Sequence, residues 1–301
     1  MRGVLNLLKP PGMTSHDGVA FVRRVLGEKR VGHTGTLDPA AAGVLPICVG
    51  QATRLVEYLQ AGTKEYVAEG WFGVETDSGD LLGETVAEGP TGHLTREQIE
   101  VVLPEFRGEI DQIPPMHSAI KVDGERLYDL ARAGKTAVIP VRRVVISKLE
   151  CRWFEAGTRP RALFDIECSG GTYIRSLIRD IGRAAGVPAT MSFLVRTRSG
   201  GFTIDQAQTP EEFRSRPALT SFGEAVSGCA ALKVVDDSAA LALYQGKLTR
   251  CDGIEDFDPE GHSQLILIQD QAASLFALAA RVPGEPGLFR AEKVFDLRAD
   301  F

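Results

Sequence analysis

The sequence predicts a mixed α/β (α+β) protein with a large first domain, residues 1–229, and a small β-rich second domain, residues 230–301. The first domain combines an amphipathic helix pattern over 170–186 with alternating, strand-like segments at 64–74 and 161–168. The second domain has short apolar runs separated by turns such as "PGEPG". A chain of 301 residues is long enough to bury a sizeable core.

Two segments of the first domain carry helix N-cap patterns. In "TSHDGVAFVRRVLG", Thr14 or Ser15 can cap the helix and Gly27 ends it. In "TREQIEVVLPEF", Thr95 is the cap and Gln98 occupies the third helical position, as in a capping box. Both segments are therefore predicted to be helices.

The helix predicted over 170–186 places a positive charge at an unfavourable position. Two glycines precede it, so its N-terminus can approach another backbone or a ligand. Arg175 lies in its first turns, where the helix dipole disfavours a cation by about 0.3–1 kcal/mol. We therefore expect Arg175 to have a partner. The apolar face has the i, i+3, i+4, i+7 spacing of Ile174, Leu177, Ile178 and Ile181, and Gly186 closes the helix.

Shorter patterns complete the predicted set of elements. An apolar strand is expected at 44–49 and a short helix at 52–62. In the second domain, strands are expected at 265–268, 275–282 and 289–295. The chain contains no internal repeat and no low-complexity tract.

The distribution of charge is compatible with an RNA partner although the net charge is negative. The chain has 34 basic and 40 acidic residues, a net charge of −6. Residues 1–50 carry 6 basic and 3 acidic side chains and residues 101–200 carry 16 and 11, whereas residues 251–301 carry 4 and 10. Because phosphate binding needs only a local basic face, the negative net charge of the whole chain does not exclude it.

Cysteine usage and hydropathy favour a cytoplasmic protein. The five cysteines are scattered, odd in number and never spaced as C-x-x-C, which disfavours a disulfide framework. The histidines are also dispersed, so no metal site is predicted. No apolar run approaches the roughly 18 residues that cross a bilayer, and the first residues lack a cleavage site. We therefore predict no membrane association.

The segment "VGHTGTLDPAAAGVLPICVGQAT" contains one formal charge, Asp38. A carboxylate in a small, apolar and buried segment costs free energy unless a partner or a reaction uses it. Pro39 disfavours helical backbone at the preceding residue, which places Asp38 in a loop. A turn aspartate and a catalytic nucleophile or general base both fit this local sequence.

Three other features have both a structural and a functional interpretation. Arg175 is either a surface arginine or the partner that keeps a buried carboxylate ionised. Tyr66 and Tyr173 are either packing residues or a stacking surface for a base. The segment 114–135 is either a solvated loop and helix or an RNA-contacting flap.

In this order, the segments resemble the TruB family of tRNA pseudouridine synthases. The N-terminal motif of the family appears as "LNLLKPPGMTS" and its catalytic motif as "GHTGTLDPAAAGVLPICVGQATR". Three more motifs appear as "KEYVAEGWFG", "PPMHSAIKVDGERLYDLARAG" and "CSGGTYIRSLIRDIG". The resemblance covers nearly the whole chain.

The resemblance implies the pseudouridine synthase fold, with a mixed, largely antiparallel central sheet, followed by a PUA-like β-domain that binds RNA. It implies an isomerase that breaks the base–ribose bond of uridine 55 in the T-loop of tRNA, rotates the uracil and rejoins it through C5. It also implies that the reaction uses no metal and no cofactor. We expect a monomer that requires no protein partner.

The resemblance also assigns roles to individual residues. Asp38 matches the nucleophile, which attacks either the ribose C1′ or the uracil C6, and Arg175 matches its ion-pair partner. Tyr66 matches the tyrosine that stacks on the base and can take the C5 proton. Residues 114–143 match an insertion that grips the T-loop. The residues implied in substrate binding are His33, Tyr173, Leu194, Lys9, Pro10 and Lys64.

Two features depart from the family pattern, and two alternatives stay open. Gly170 stands where many members have lysine, and the acidic segment 251–301 weakens the idea that the tail clamps the acceptor stem.

One alternative function is a tRNA-folding chaperone whose catalysis is secondary. The other is a guide-dependent, dyskerin-like enzyme that acts on another RNA. Against the guide-dependent alternative, the complete N-terminal motifs and the insertion favour a tRNA enzyme that acts alone.

Overall fold

The structure is a computed structural model with a nine-stranded sheet, a five-stranded sheet and helices packed on both. It describes residues 3–116, 118, 121–122, 125–126, 138–226, 231–250, 265–285 and 287–296. Within these residues the helices are α1 (Ser15–Leu26), α2 (Val56–Ala61), α3 (Arg96–Val102), α4 (Ile174–Ala184), α5 (Pro210–Ser215), α6 (Phe222–Val226) and α7 (Asp237–Tyr244).

The strands of the first domain precede those of the second along the chain. The first set is β1 (Gly3–Lys9), β2 (Val31–His33), β3 (Ala42–Val49), β4 (Lys64–Phe72), β5 (Val74–Thr76), β6 (Thr85–Glu88), β7 (Gly108–Gln112), β8 (Lys121–Val122), β9 (Glu125–Arg126), β10 (Arg142–Glu155), β11 (Arg161–Cys168), β12 (Ala189–Ser199) and β13 (Phe202–Thr203). The second set is β14 (Ala231–Val234), β15 (Thr249–Arg250), β16 (Leu265–Gln269), β17 (Leu275–Arg281) and β18 (Leu288–Asp296).

The nine-stranded sheet forms the centre of the first domain. Its main order is β1-β3-β12-β4-β11-β10-β7, with β2 paired to β3 and β13 paired to β12. The β3–β12 pair is parallel, and the other pairs of this sheet are antiparallel. This topology confirms the predicted mixed, largely antiparallel sheet.

Both predicted N-cap patterns are present. Of the two candidate caps for α1 the structure selects Thr14, whose Oγ1 accepts from the Asp17 N–H at 3.0 Å while the Asp17 carboxylate accepts from the Thr14 N–H at 2.9 Å. Gly27, with φ 65°, ends this helix. Thr95 and Gln98 form the equivalent reciprocal pair before α3. Local hydrogen bonding therefore defines where these helices begin.

Two predicted elements are divided in the structure. The strand predicted over 64–74 ends at Phe72, because Gly73 has φ 97° and donates its N–H to the Pro188 carbonyl at 2.7 Å. The residues after Gly73 pair with β6 in a separate two-stranded ribbon. The helix predicted over 52–62 is a 3₁₀ turn, Gly50–Leu55, followed by the short α2.

Helices α1, α3 and α4 pack on one face of the central sheet. Phe21, Ile99 and Ile178 come from these three helices and join a buried cluster with Phe164 of β11. The four apolar positions predicted for α4 are all at most 4% exposed. The predicted amphipathic helix is therefore confirmed, and its apolar face holds it against the sheet.

The second sheet has the order β14-β16-β17-β18-β15 and confirms the predicted C-terminal β-domain. It packs against the first domain through a shared apolar cluster that includes Val4 and Leu55. At the centre of this contact, the Phe222 ring lies 5.8 Å from the Phe276 ring and 5.1 Å from the Phe295 ring, measured between centroids. The two sheets thus share one buried interface.

The boundary between 229 and 230 and the PUA-like character of the second domain stay predictions. Much of the insertion predicted over 114–143 lies outside the described residues, namely 117, 119–120, 123–124 and 127–137. In the part of the chain that is described, no helix is long and apolar enough to cross a membrane.

Candidate active site

Asp38 lies in the loop between β2 and β3, as predicted, and this loop is held through its backbone. Ser15 Oγ, at the start of α1, donates to the Leu37 carbonyl at 2.9 Å and accepts from the Leu37 N–H at 2.8 Å. The Gly12 N–H donates to the Pro39 carbonyl at 2.8 Å. The Asp38 side chain is 33% exposed, so the carboxylate is only partly buried, whereas the apolar sequence around it predicts a buried segment.

Arg175 lies in the N-terminal turn of α4, and Asp38 is the partner that it was expected to have. Arg175 Nε lies 2.9 Å from Asp38 Oδ2, and Nη2 donates to Asp38 Oδ1 at 3.3 Å. Nη1 donates to the Ser78 carbonyl at 2.8 Å. The Arg175 side chain is 5% exposed, so a buried guanidinium holds a reachable carboxylate in a two-pronged contact.

Asp80 is a second carboxylate beside Arg175, and the sequence interpretation missed its proximity. Asp80 Oδ2 lies 3.8 Å from Arg175 Nη1, and the residue is 8% exposed. Its Oδ1 accepts from Ser78 Oγ at 2.7 Å and from the Leu82 N–H at 3.0 Å. The signal in the sequence is the turn "DSGDLLG", whose two aspartates flank a serine and a glycine.

Lys9 lies beneath the Asp38 loop with no exposed surface. Its ammonium donates to the carbonyls of Pro10 at 3.0 Å, Met13 at 2.7 Å and Pro39 at 3.4 Å. Burial lowers the pKa of Lys9 from 10.5 to about 8, although the Asp38 charge acts in the opposite direction. Lys9 and Pro10 thus join the N-terminal motif to the loop rather than presenting a cation to solvent.

Arg196 of β12 is a second buried arginine, and the sequence interpretation missed it as well. It is 2% exposed. Its Nε donates to the Val44 carbonyl at 2.7 Å, Nη2 to the Gly35 carbonyl at 3.2 Å and Nη1 to the Thr36 carbonyl at 3.5 Å. Gly35 and Thr36 belong to the loop that carries Asp38, so this arginine also holds the loop.

Tyr66 and Leu194 lie beside Arg196 on the buried face of the sheet. Tyr66 is paired directly with Arg196 across β4 and β12, so the phenol and the guanidinium lie on the same face of the sheet. Burial raises the pKa of Tyr66, and the Arg196 charge opposes this rise. Leu194 is paired with Ala68 on the same face and is 6% exposed. A phenol, an apolar side chain and a cation are therefore neighbours.

Comparison with known proteins identifies the family. The TruB family pseudouridylate synthase N-terminal domain matches residues 23–174, and the tRNA pseudouridylate synthase B C-terminal domain matches residues 175–220. The tRNA pseudouridine synthase B of Symbiobacterium thermophilum is 54% identical over 242 residues, which are 77% of this chain and 81% of that protein. The chain belongs to the TruB family of pseudouridylate synthases.

Solved structures agree with membership of the TruB family. A chain in the crystal structure of a Cbf5-Nop10-Gar1 complex matches with a TM-score of 0.71 and 30% identity, covering 98% of this chain and 86% of that one. A chain in an H/ACA RNP bound to a substrate RNA containing 2′-deoxyuridine matches with a TM-score of 0.70 and 28% identity, covering 97% and 84%. The predicted pseudouridine synthase fold and isomerase activity are confirmed.

Tyr173, a predicted pocket residue of the TruB family, is the N-cap residue of α4. Its backbone is held by Gln112 at the end of β7, whose Nε2 donates to the Tyr173 carbonyl at 3.0 Å and whose Oε1 accepts from the Tyr173 N–H at 2.7 Å. Ser176 Oγ donates to the Ile113 carbonyl at 2.8 Å. These bonds connect the end of β7 to the helical turn that presents Arg175.

His33, which the TruB resemblance places against RNA, lies at the end of β2 and is half-buried. Its Nδ1 accepts a hydrogen bond from the Gly35 N–H at 3.2 Å. Burial lowers the pKa of His33 below its usual 6.5, and the positive charge of Arg196 adds to this effect. The imidazole is therefore neutral at neutral pH, with Nε2 as its N–H donor. Its contact with RNA stays a prediction.

Lys64, which the TruB resemblance places in the substrate site, is 4% exposed and points inward. Its ammonium donates to the carbonyls of Gln60 and Gly62 at the end of α2. Burial lowers the pKa of Lys64 to about 8. A Cβ on Gly170 would lie 2.9 Å from the Gln60 carbonyl oxygen and 3.3 Å from the Lys64 ammonium. The glycine that departs from the family pattern therefore accommodates this buried lysine.

The described residues contain no group of three or more His, Cys, Asp or Glu side chains that could hold a metal ion. Cys48, Cys151 and Cys168 are free and buried. Burial raises the pKa of Cys168 to about 11, which disfavours its thiolate at neutral pH. The chemical groups that the site brings together are two carboxylates, two guanidinium groups and a phenol.

Proposed function

We propose that this TruB-family protein is a tRNA pseudouridine synthase that isomerises uridine 55 in the T-loop. The observation that carries the proposal is the Asp38–Arg175 ion pair, built from the catalytic motif and the helix motif. The relative that is 54% identical is named tRNA pseudouridine synthase B, which supports tRNA as the substrate. The position within tRNA follows from the family resemblance of the motifs.

In this proposal Asp38 is the nucleophile. Two nitrogens of Arg175 hold its carboxylate in a fixed orientation for attack. The ribose C1′ and the uracil C6 are both electrophilic positions for this attack. If Asp38 attacks C1′, the N1–C1′ bond breaks as the ester forms, the uracil rotates, and attack of C5 on C1′ releases the carboxylate. If Asp38 attacks C6, the N1–C1′ bond breaks in the adduct, the uracil rotates, C5 bonds to C1′, and loss of the C5 proton expels the carboxylate from C6.

Tyr66 is the group that takes the proton from C5 once the C5–C1′ bond has formed. The electron pair of the C5–H bond restores the C5=C6 double bond, and N1 takes a proton from water. The phenol lies in the buried face of the sheet and is 9% exposed, so its position is fixed by packing. Leu194, two residue pairs along the strands and on the same face, offers an apolar contact for the uracil ring.

The target uridine must leave its stack to reach Asp38, which costs a few kcal/mol. The loop around Asp38 consists mainly of small residues, and Gly35 in it has φ 148°, which favours glycine. This composition leaves room for a flipped nucleotide. In the proposal His33 and Tyr173 contact that nucleotide, while Lys9 and Pro10 act indirectly by supporting the loop.

The proposed function extends to the oligomeric state of the protein, its cellular compartment and its binding of tRNA. The protein acts in the cytoplasm as a monomer, without a cofactor and without a required protein partner. The T-arm of tRNA is gripped by residues 114–143, which fall in the part of the sequence with a basic excess. The Asp38 loop, α4 and β4 carry Asp38, Arg175 and Tyr66, so a single chain supplies all three catalytic groups.

A T-arm stem-loop RNA tests this function directly. The protein is incubated with the RNA in the absence of any guide RNA, and pseudouridine is mapped by carbodiimide treatment and primer extension. We expect modification at the T-loop uridine by the wild type and by Asp165→Asn, which removes a carboxylate that pairs with Arg152 elsewhere on the sheet. We expect none by Asp38→Asn, which should still bind the RNA.

One result would overturn the proposed function. If the wild type binds the T-arm RNA but leaves the T-loop uridine unmodified, the protein does not act on this substrate unaided. Activity that appears only after a guide RNA is added would favour the guide-dependent alternative. Activity retained by Asp38→Asn would remove the nucleophile assignment.

A further inference from the structure

We propose that Arg196 is a positioning residue that holds the Asp38 loop and the Tyr66 phenol in one fixed arrangement and supports proton removal from C5. This inference rests on the proposed function, because it requires Tyr66 to take the C5 proton. Arg196 itself need not touch the substrate. It acts through the two groups that it joins.

The hydrogen bonds of Arg196 support the first part of the inference. The carbonyls of Gly35 and Thr36 accept from its two terminal nitrogens, and the Val44 carbonyl accepts from Nε. Its own backbone is equally constrained, because Gly43 approaches so closely that a Cβ there would lie 2.2 Å from the Arg196 carbonyl oxygen. Both ends of the residue are therefore anchored on the chain that flanks Asp38.

The strand geometry supports the second part. Arg196 is paired with Tyr66, whereas Arg198 is paired with Glu65, because the register shifts between the two arginines. This irregularity places two arginines that are two residues apart on opposite faces of the sheet. Arg198 forms an ion pair with Glu65 at 2.8 Å, while Arg196 faces the phenol.

The charge of Arg196 is well placed for proton transfer. In the described part of the chain its side-chain hydrogen bonds go to three carbonyls, Tyr66 is its partner across the strands, and no carboxylate lies within salt-bridge distance of it. Its charge is therefore not neutralised locally and favours negative charge on the phenol oxygen.

The proton balance of this step is simple. The Tyr66 phenol first loses its proton to water, and the phenolate oxygen then forms an O–H bond with the C5 proton. The C5–H electron pair restores the C5=C6 double bond. Burial of Tyr66 opposes formation of the phenolate and raises its pKa, and the neighbouring guanidinium reduces that cost in part. Without the guanidinium, removal of the C5 proton should become the slow step.

The test uses Arg196→Lys and Arg196→Met with a T-arm RNA that carries 5-deuterouridine at the target position. Single-turnover rates are compared with those for the protonated RNA. We expect Arg196→Met to react at least about tenfold more slowly than wild type and to show a larger primary isotope effect. Arg196→Lys, which keeps the charge, should recover part of the rate. RNA affinity should stay within about threefold of wild type.

Arg198→Met is the matched control, because it removes an arginine from the same strand on the other face. It should keep the wild-type rate and isotope effect. If thermal unfolding shows that Arg196→Met does not fold, the rate and isotope effect of Arg196→Lys test the inference instead. A lysine cannot bridge the three carbonyls beside the phenol, so its rate should still fall and its isotope effect should still rise.

The outcomes separate this inference from the proposed function. A wild type that does not modify the RNA overturns the proposed function and this inference with it. A wild type that is active, with Arg196→Lys equal to it in rate and isotope effect, overturns the inference alone. A slow Arg196→Lys without a rise in isotope effect also overturns it, because an earlier step would then be impaired.

Discussion

Arg175 lies between two carboxylates that differ in exposure. Asp38 is 33% exposed and can meet a substrate, whereas Asp80 is 8% exposed and is held by Ser78 and Leu82. We infer that Asp80 orients the guanidinium while Asp38 carries the reaction. A buried charge that is held from two sides has less freedom to rotate away from the reacting carboxylate.

Asp80→Asn tests this division of roles. The amide oxygen can still accept from Ser78 and Leu82, so the turn should be retained while the charge is lost. We expect the single-turnover rate on T-arm RNA to fall at least about tenfold, equivalent to about 1.4 kcal/mol, with little change in RNA affinity. The exposed Asp77→Asn is the control. An unchanged rate for Asp80→Asn would show that Arg175 needs no second carboxylate.

Lys9 predicts a specific dependence of stability on pH. Its folded pKa is about 8, against 10.5 for the free side chain. Between these values the unfolded chain binds more protons than the folded protein, so the Lys9 contribution to stability rises with pH by about 3 kcal/mol in total. Below pH 8 and above pH 10.5 this contribution is constant.

The measurement is chemical denaturation of wild type and Lys9→Met at several pH values between 7.5 and 10.5. The free energy of unfolding of the wild type should increase relative to Lys9→Met across this window. Lys64 titrates in the same range but is present in both proteins, so its effect cancels. Lys148→Met, at an exposed site, should show no such trend. A difference that is independent of pH for Lys9→Met would contradict the lowered pKa.

At the scale of elements, β12 shows why a regular pattern misleads. Arg196 and Arg198 are two residues apart and would share one face of a regular strand. The shift in register between them instead turns one toward Tyr66 and the other toward Glu65. Neither this strand nor its irregularity was predicted. Alternating arginines are typical of a solvent-exposed edge strand, whereas β12 lies between β3 and β4 in the centre of the sheet.

A second link between elements is the contact of β7 with α4. Gln112 is 2% exposed. Its side-chain amide donates to the Tyr173 carbonyl and accepts from the Tyr173 N–H, as a backbone peptide group in a sheet would. Gln112→Leu should leave the Tyr173 N–H and carbonyl without partners, at a cost of about 1–3 kcal/mol in the free energy of unfolding. Because the same turn presents Arg175, the single-turnover rate should fall as well.

Denaturation and single-turnover assays check this prediction for Gln112→Leu against Gln271→Leu, an exposed control. A loss of stability without a loss of rate would mean that the turn keeps Arg175 in place without this contact. If neither the stability nor the rate falls, water or another group replaces the hydrogen bonds of the Gln112 side chain.

At the scale of the whole molecule, the two sheets are joined by an aromatic contact. Phe222, Phe276 and Phe295 form a buried cluster, and the Arg54 guanidinium lies 4.9 Å from the centre of the Phe295 ring. Lys293 of β18 donates to the Arg54 carbonyl at 2.8 Å and also contacts Glu57. An apolar interface of this kind couples the unfolding of the two domains.

Phe295→Ala tests the coupling. Phe295 has no exposed surface, so its truncation should lower the free energy of unfolding by about 3–5 kcal/mol. Unfolding should remain a single transition for the wild type. Leu248→Ala, at a position that is 57% exposed, should change stability by less than about 0.5 kcal/mol. Two separate transitions in the wild type would show that the domains unfold independently.

Local physics accounts for what the sequence by itself determined. Caps such as Thr14 and Thr95 act within three residues, and the apolar spacing of α4 is a property of one helix. The dipole argument required a partner for Arg175 without naming it. The ordered motifs identified the family and singled out Asp38 as the charge to explain.

The tertiary structure decided which distant groups meet. Asp38 and Arg175 are 137 residues apart, and their contact depends on the packing of α4 against the sheet. Asp80 and Arg196 reach the site through a turn and a register shift that no local pattern encodes. The inward direction of Lys9 also depends on distant carbonyls. Sequence periodicity reports the face of one element, whereas a site depends on how elements are placed against each other.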